Sequence, residues 1–262
     1  MCAGQALAGD AAIVSPWLEG FNNKARLHGG QMVAAGKPAL FAGVEVAMPS
    51  GWKTYWRAPG ESGIPPEFDW SGSENLESAT VLYPAPHRLI DKGGTNIGYK
   101  DRVLFPVSIS AKDPAKPVTL KLKAAYGVCK DICIPAEAEL ALDVPAGAGP
   151  SAEIEEAFKL VPGAPDAGKD PLLTAWRIDK DRGKPKLVLE VQDPGGEDGD
   201  AFVFVADGTY LPLPKKIAGA AGKSTFEIDL TDGVDLAALK GKTVLVTLTG
   251  AKGQSETAIK ID

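Results

Sequence analysis

A chain of 262 residues with net charge −6 and 44% hydrophobic residues is large for one sandwich and comfortable for two domains of roughly 100 to 150 residues each. The charge is uneven, net −1 over residues 1–149 and −5 over residues 150–262, and neither half has the basic balance of a nucleic-acid binder. No window offers the run of about 18 uncharged apolar residues that a membrane helix needs, so no membrane segment is expected.

At the N-terminus, Ala6-Leu7-Ala8 has the small-residue pattern that ends a secretory signal, without the basic and long apolar parts that precede it in such signals. Residues 1–14 are expected to be a trimmed signal remnant or disordered tail, with Cys2 an incidental thiol. Further on, Trp52, Tyr55, Trp56 and Trp70 fall among Gly51, Pro59, Gly60, Gly63, Pro65 and Pro66, a composition of loops and strand ends. The plain expectation is that these rings fill a sandwich core. The sharper one is that some of them, with Tyr126, wall a cysteine pair. Residues 93–98, Gly-Gly-Thr-Asn-Ile-Gly, resemble a phosphate loop only superficially, because no strand-to-helix context surrounds them, and they read as a turn.

Val118, Leu120, Leu122, Ala124 and Tyr126 alternate with Thr119, Lys121 and Lys123, and Ala138, Leu140, Leu142 and Val144 alternate with Glu137, Glu139 and Asp143. Each run has period two and predicts a half-buried antiparallel strand. Between them stand Cys129 and Cys133, separated by Lys130, Asp131 and Ile132. Four residues of extended chain span ~13 Å, whereas a disulfide needs Cα atoms within about 7 Å. The chain must therefore turn if the two sulfurs are to bond. Lys130 favours a thiolate there and Asp131 opposes it.

The Gly/Pro-rich residues 145–150 predict a boundary, followed by a short helix over residues 151–160 that Ser151 can cap and three glutamates favour at its N-terminal end. A weaker helical turn is predicted from Val234 to Lys240. In the C-terminal half, Leu187, Leu189 and Val191, then Phe202 and Phe204, then Phe226, Ile228 and Leu230, then Val244, Val246 and Leu248 alternate between turn clusters. That spacing favours a second β-sandwich. With no cysteine, histidine or catalytic constellation, this half reads as a packing, spacing or docking domain. The expected architecture is all-β: two sandwiches in tandem, residues 15–146 and 147–262, with one short helix between them.

Residues 126–129, Tyr-Gly-Val-Cys, residues 133–137, Cys-Ile-Pro-Ala-Glu, and residues 98–107, Gly-Tyr-Lys-Asp-Arg-Val-Leu-Phe-Pro-Val, resemble the N-terminal domain of the thiol:disulfide interchange protein DsbD family. The segment 51–55 fits it too. Residues 60–66 and 69–76, with the short cysteine spacing, are more similar to the branch of that family linked to suppression of copper sensitivity. The resemblance covers roughly residues 15 to 145 and implies an immunoglobulin-like domain in the periplasm that acts as a protein-disulfide reductase. Such a domain takes electrons from a thioredoxin-like or membrane-embedded donor and hands them to oxidised client proteins. Carried over by position, Cys129 and Cys133 match the redox pair, with Cys133 the sulfur attacked by the partner. Tyr55 and Tyr126 match tyrosines near the pair, and Leu89, Ile90, Asp91 and Lys92 occupy the place of the loop that covers it. Such exchange needs no metal, flavin or nicotinamide in the chain.

Other readings stay open. Exported proteins commonly use disulfides as static staples, although a bridge closing so short a loop removes little unfolded-state entropy. Reduced Cys129 and Cys133 could hold Cu(I) with Met32, Met48, His28 or His87, but nothing in their spacing makes these converge. The tryptophan cluster with Glu61, Glu67 and Asp69 could bind or cleave a sugar, but such carboxylates read first as a charged face.

Overall fold

The computed structural model describes residues 13–34, 36–91, 94–180, 184–196, 199–231 and 233–262. Cys2, Lys92 and most of the expected tail therefore lie outside the described residues. In chain order come β1 (Ile13–Val14), β2 (Leu18–Gly20), β3 (Asn23–Ala34), β4 (Lys37–Ala47), β5 (Lys53–Gly60), β6 (Glu67–Asp69) and β7 (Leu76–Val81). They are followed by β8 (His87–Asp91), β9 (Gly94–Lys100), β10 (Arg102–Ala111), β11 (Val118–Cys129), β12 (Cys133–Val144) and helix α1 (Ala152–Lys159). The remainder holds β13 (Leu172–Asp179), β14 (Lys186–Gln192), β15 (Asp200–Val205), β16 (Lys215–Ala220), β17 (Lys223–Asp229), α2 (Leu236–Leu239), β18 (Thr243–Thr249) and β19 (Gln254–Lys260).

Among the described residues the fold is thus all-β with two short helices, and the chain divides into two compact units. The first comprises Met1–Thr54, Pro66–Pro84 and Tyr99–Lys159, the second Tyr55–Pro65, Ala85–Gly98 and Leu160–Asp262. Strands β5 and β9 pass from one unit to the other.

In the first unit one sheet runs β1-β3-β4-β10-β7 with β2 on β3, and the β11–β12 hairpin, flanked by β6, lies in the other. Period-two alternation sends Ala25 and Leu27, Val44 and Val46, Phe105 and Val107, and Leu120, Leu122 and Tyr126 into the core. Gly29 lets the sheets approach, since a Cβ there would meet Val144 and Leu142. Residues 13 and 14, counted in sequence with the tail, instead pair with Gly29 and His28 of β3. Helix α1 covers the outer face of the first sheet. Ser151 Oγ accepts from Ile154 N at 3.4 Å, and Ile154 and Phe158 pack on Met32 and Phe41, whose ring meets Phe158 edge-on at 5.7 Å. The helix therefore belongs to the first unit's own packing.

On that same outer face lies a buried polar cluster. His28 and Glu45 are each about 1% exposed. His28 Nε2 lies 2.6 Å from Glu45 Oε2, Arg26 Nε donates to the same oxygen at 2.6 Å, and Arg102 Nε donates to Oε1 at 2.5 Å. Burial pushes the imidazole below its ordinary pKa, against the pull of Glu45. Burial alone would raise the Glu45 carboxyl, but the hydrogen bonds from His28 and Arg26 and the charge of Arg102 outweigh it and hold it below its ordinary value.

In the second unit a four-stranded sheet, β13-β14-β17-β16, and a three-stranded sheet, β15-β18-β19, enclose Leu187, Leu189, Val203, Phe226, Ile228, Val244, Val246 and Ile259. The predicted helical turn is α2, where Asp235 Oδ1 accepts from the N–H groups of Ala237 and Ala238. Strand β9 lies beside β8 and β5, so the expected turn over residues 93–98 gives way to strand from Gly94 onward. Four consecutive residues, Asn96 to Tyr99, are buried, so no alternation marks this strand in the sequence.

Candidate redox site at the hairpin

Strands β11 and β12 pair without a break from Val118 opposite Val144 to Cys129 opposite Cys133. Unbroken pairing over twelve pairs, with Leu120, Leu122 and Leu140 on the buried face, fixes the register, because a one-residue slip would turn those leucines into solvent. Lys130, Asp131 and Ile132 form the exposed tip, closed by Lys130 N donating to Ile132 O at 3.2 Å. The two cysteines are disulfide-bonded, with Cα atoms 4.2 Å apart.

The two sulfur-bearing residues differ in environment. Cys129 is 0% exposed, while Cys133 is exposed. Cys129 sits in the sheet interior because β5 pairs on its other side, with Lys53 directly opposite it. Thr54 Oγ1 donates to Gly127 O at 2.8 Å and ties β5 to β11 there. Beside the tip, Gly51 at φ 83 leaves room for the Lys130 side chain, whose Cε would lie 3.5 Å from a Cβ at that position.

Of the expected site residues, Tyr126 lies in the same unit as the cysteines, pointing into the core three residues before Cys129. Its hydroxyl donates to Asn23 Oδ1 at 2.7 Å, and Asn23 Nδ2 donates to Phe21 O at 3.0 Å. Burial pushes its phenol up to about 12. Tyr55, Leu89, Ile90 and Asp91 belong to the second unit. Tyr55 is fully buried with its ring against Gly63, and burial, then the charge of Asp91, raise its phenol to about 12. Leu89 is buried, whereas Ile90 is 78% exposed. Sequence reasoning missed Asn23, Lys53 and Thr54; an Asn or Thr near a strand start carries no signal of its long-range partner, and a lysine in a strand reads as surface.

The aromatic cluster divides. Trp56, in the second unit, is buried with edge-on contacts to Phe202 at 6.0 Å and Phe204 at 6.4 Å, which is core packing. Trp70, in the first unit, is also buried. The side chains weighed for copper have other surroundings: His28 bonds Glu45, Met32 packs under α1, Met48 is buried and His87 is exposed on β8. Of the carboxylates weighed for sugar chemistry, Glu61 accepts from Thr95 N at 2.8 Å in the second unit, while Asp69 accepts from Ser71 N at 2.8 Å in the first.

An immunoglobulin-like β-sandwich with a disulfide at a hairpin tip, one partner buried and the other open, defines a class of domain built around a surface-reachable disulfide. Residues 32–145 match the family model described as thiol:disulfide interchange protein DsbD, N-terminal. The fold of the whole chain is similar to the crystal structure of the N-terminal periplasmic domain of ScsB from Proteus mirabilis, with a TM-score of 0.73 and 20% identity over 96% of this chain and 99% of that one. A marsupial T cell receptor aligns over 89% of this chain and 100% of its own at 13% identity, with a TM-score of 0.25. No curated protein sequence matches.

Proposed function

We propose that the chain is a periplasmic protein-disulfide reductase, which passes electrons from a thioredoxin-like or membrane-embedded donor to oxidised client proteins through Cys129 and Cys133. The observation that carries this reading is the asymmetry of the pair: Cys133 is open at the hairpin tip and Cys129 is sealed. A donor thiolate attacks Cys133 Sγ, a donor–Cys133 disulfide forms, the Cys129–Cys133 bond breaks and its electron pair leaves with Cys129. A second donor thiol resolves the mixed disulfide, and Cys133 departs as the thiol or thiolate. Two electrons have then moved from the donor, now a disulfide, to the chain, now a dithiol, which repeats the exchange in reverse on a client.

The family match over residues 32–145 and the likeness to a periplasmic domain support the reaction class and the compartment. Stability supplies only a weak reason for the bridge, since closing so short a loop is worth roughly 2 kcal/mol by chain entropy, about half the value for a 100-residue loop. On this reading residues 15–146 form the exchange domain and residues 147–262 space or dock it. The wall roles of Tyr126 and Tyr55 and the cover role of residues 89–92 rest on the resemblance.

Partner trapping tests the proposal. Cys129→Ser, which keeps the open cysteine, accumulates a mixed disulfide with a thioredoxin-like protein, whereas Cys133→Ser traps none. Absence of any adduct with Cys129→Ser would count decisively against exchange.

A further inference from the structure

The exchange steps leave one buried charge unused. Lys53 is the one buried lysine or arginine among the described residues, at 6% exposed. It opens β5 directly opposite Cys129, on the side of β11 away from Cys133. Residues directly opposite in an antiparallel pair leave the sheet on the same face with Cβ atoms about 4.5–5.5 Å apart. The bond from Thr54 to Gly127 holds this register, so the lysine stem and the Cys129 sulfur share one buried patch of sheet.

Cys129 is the sulfur that must carry negative charge when the disulfide opens, and water does not reach it. A thiolate in apolar surroundings is disfavoured unless a cation stands near. Lys130 and Asp131 at the tip carry opposite signs and are exposed, so water and salt screen them. A buried cation is screened far less.

Resting on the exchange reading above, we infer that Lys53 stabilises the departing Cys129 sulfur. As the partner's sulfur bonds to Cys133 Sγ, the electron pair of the breaking bond moves to Cys129 Sγ, and the ammonium of Lys53 faces that new charge with no proton transferred. A better-stabilised leaving thiolate departs faster. Lys53 thereby sets how readily the bridge opens, a duty separate from partner recognition at Cys133.

The test compares reduction of the oxidised full chain by dithiothreitol at neutral pH for the wild type, Lys53→Met, Lys53→Gln and Lys53→Arg. A companion measurement reads the thiolate ultraviolet absorbance of Cys129 in a Cys133→Ser background. The neutral variants are expected to open about tenfold more slowly or worse, in line with the leaving-group dependence of exchange, and to hold less Cys129 thiolate. Lys53→Arg restores both readouts, which a purely packing role would not require. Should Lys53→Met fail to fold by circular dichroism, Lys53→Gln, closer in polarity, decides. Neutral variants matching the wild type in rate and thiolate content overturn the inference while leaving exchange intact. A wild-type bridge that resists dithiothreitol overturns both.

Discussion

Removing the Glu45 carboxylate should destabilise the first unit by about 3 kcal/mol. In Glu45→Ala the buried His28 N–H loses its acceptor, which costs about 1–3 kcal/mol for an unsatisfied buried group. The Arg26 and Arg102 side chains are 25% and 58% exposed; they turn to water and add at most about 1 kcal/mol each. Glu45→Gln keeps an acceptor and should lose less, about 1–2 kcal/mol. Urea unfolding followed by tryptophan fluorescence reads the change, with Trp17, stacked under Arg26 at 4.1 Å, as a local reporter. At an m-value of about 2 kcal/mol/M, the alanine variant shifts the midpoint down by about 1.5 M.

The same cluster fixes a pH dependence. His28 is held below its ordinary 6.5, so as pH falls the unfolded chain takes up a proton that the folded chain refuses, and stability drops from about pH 6.5 downward. Glu45 is held below its ordinary 4.5, so its contribution is complete above that value and is lost as pH falls through the lower folded-state value. Both act in the same direction. The wild type therefore weakens in acid in two stages, and Glu45→Ala lacks the lower one. A midpoint for Glu45→Ala within about 0.3 M of wild type, or an unchanged acid limb, would refute this description of the cluster.

Three further outcomes are expected. Tyr126→Phe removes the bond to Asn23 Oδ1 and should cost about 1–1.5 kcal/mol in a thermal or urea melt; no loss would mean that the hydroxyl does not anchor β11 to β3. In the reduced protein, iodoacetamide followed by peptide mass spectrometry should label Cys133 at least about tenfold faster than Cys129, because the latter needs a local opening to react; equal rates would deny the asymmetry. Ile154→Ala should cost about 2–4 kcal/mol through the packing between α1 and β4, and a loss under about 1 kcal/mol would show the helix to be detachable.

The hairpin was legible because one face of β11 and β12 is buried and the other meets water, so hydrophobicity alternates along both strands. Strand β4 was not, since α1 and the polar cluster cover its outer face and its residues 41–46 are buried on both sides, which erases the alternation. The same burial hid Glu45 and His28, which read as surface residues until β3 and β4 are placed side by side. Helix α1 was legible through Ser151 and its acidic first turn, but its docking on Met32 and Phe41 depends on partners more than a hundred residues away. At the site the cysteines announced themselves through spacing, whereas Tyr126 was named through the strand alternation and the family resemblance. Lys53 did not, because only the strand register brings it to Cys129.

Equilibrating the oxidised and reduced chain in glutathione or dithiothreitol buffers of known potential measures the Cys129–Cys133 couple itself. An exchanging pair has a reduction potential above about −300 mV, within reach of thioredoxin-like partners. A value below about −300 mV would mark the bridge as a structural staple and contradict the proposed electron transfer.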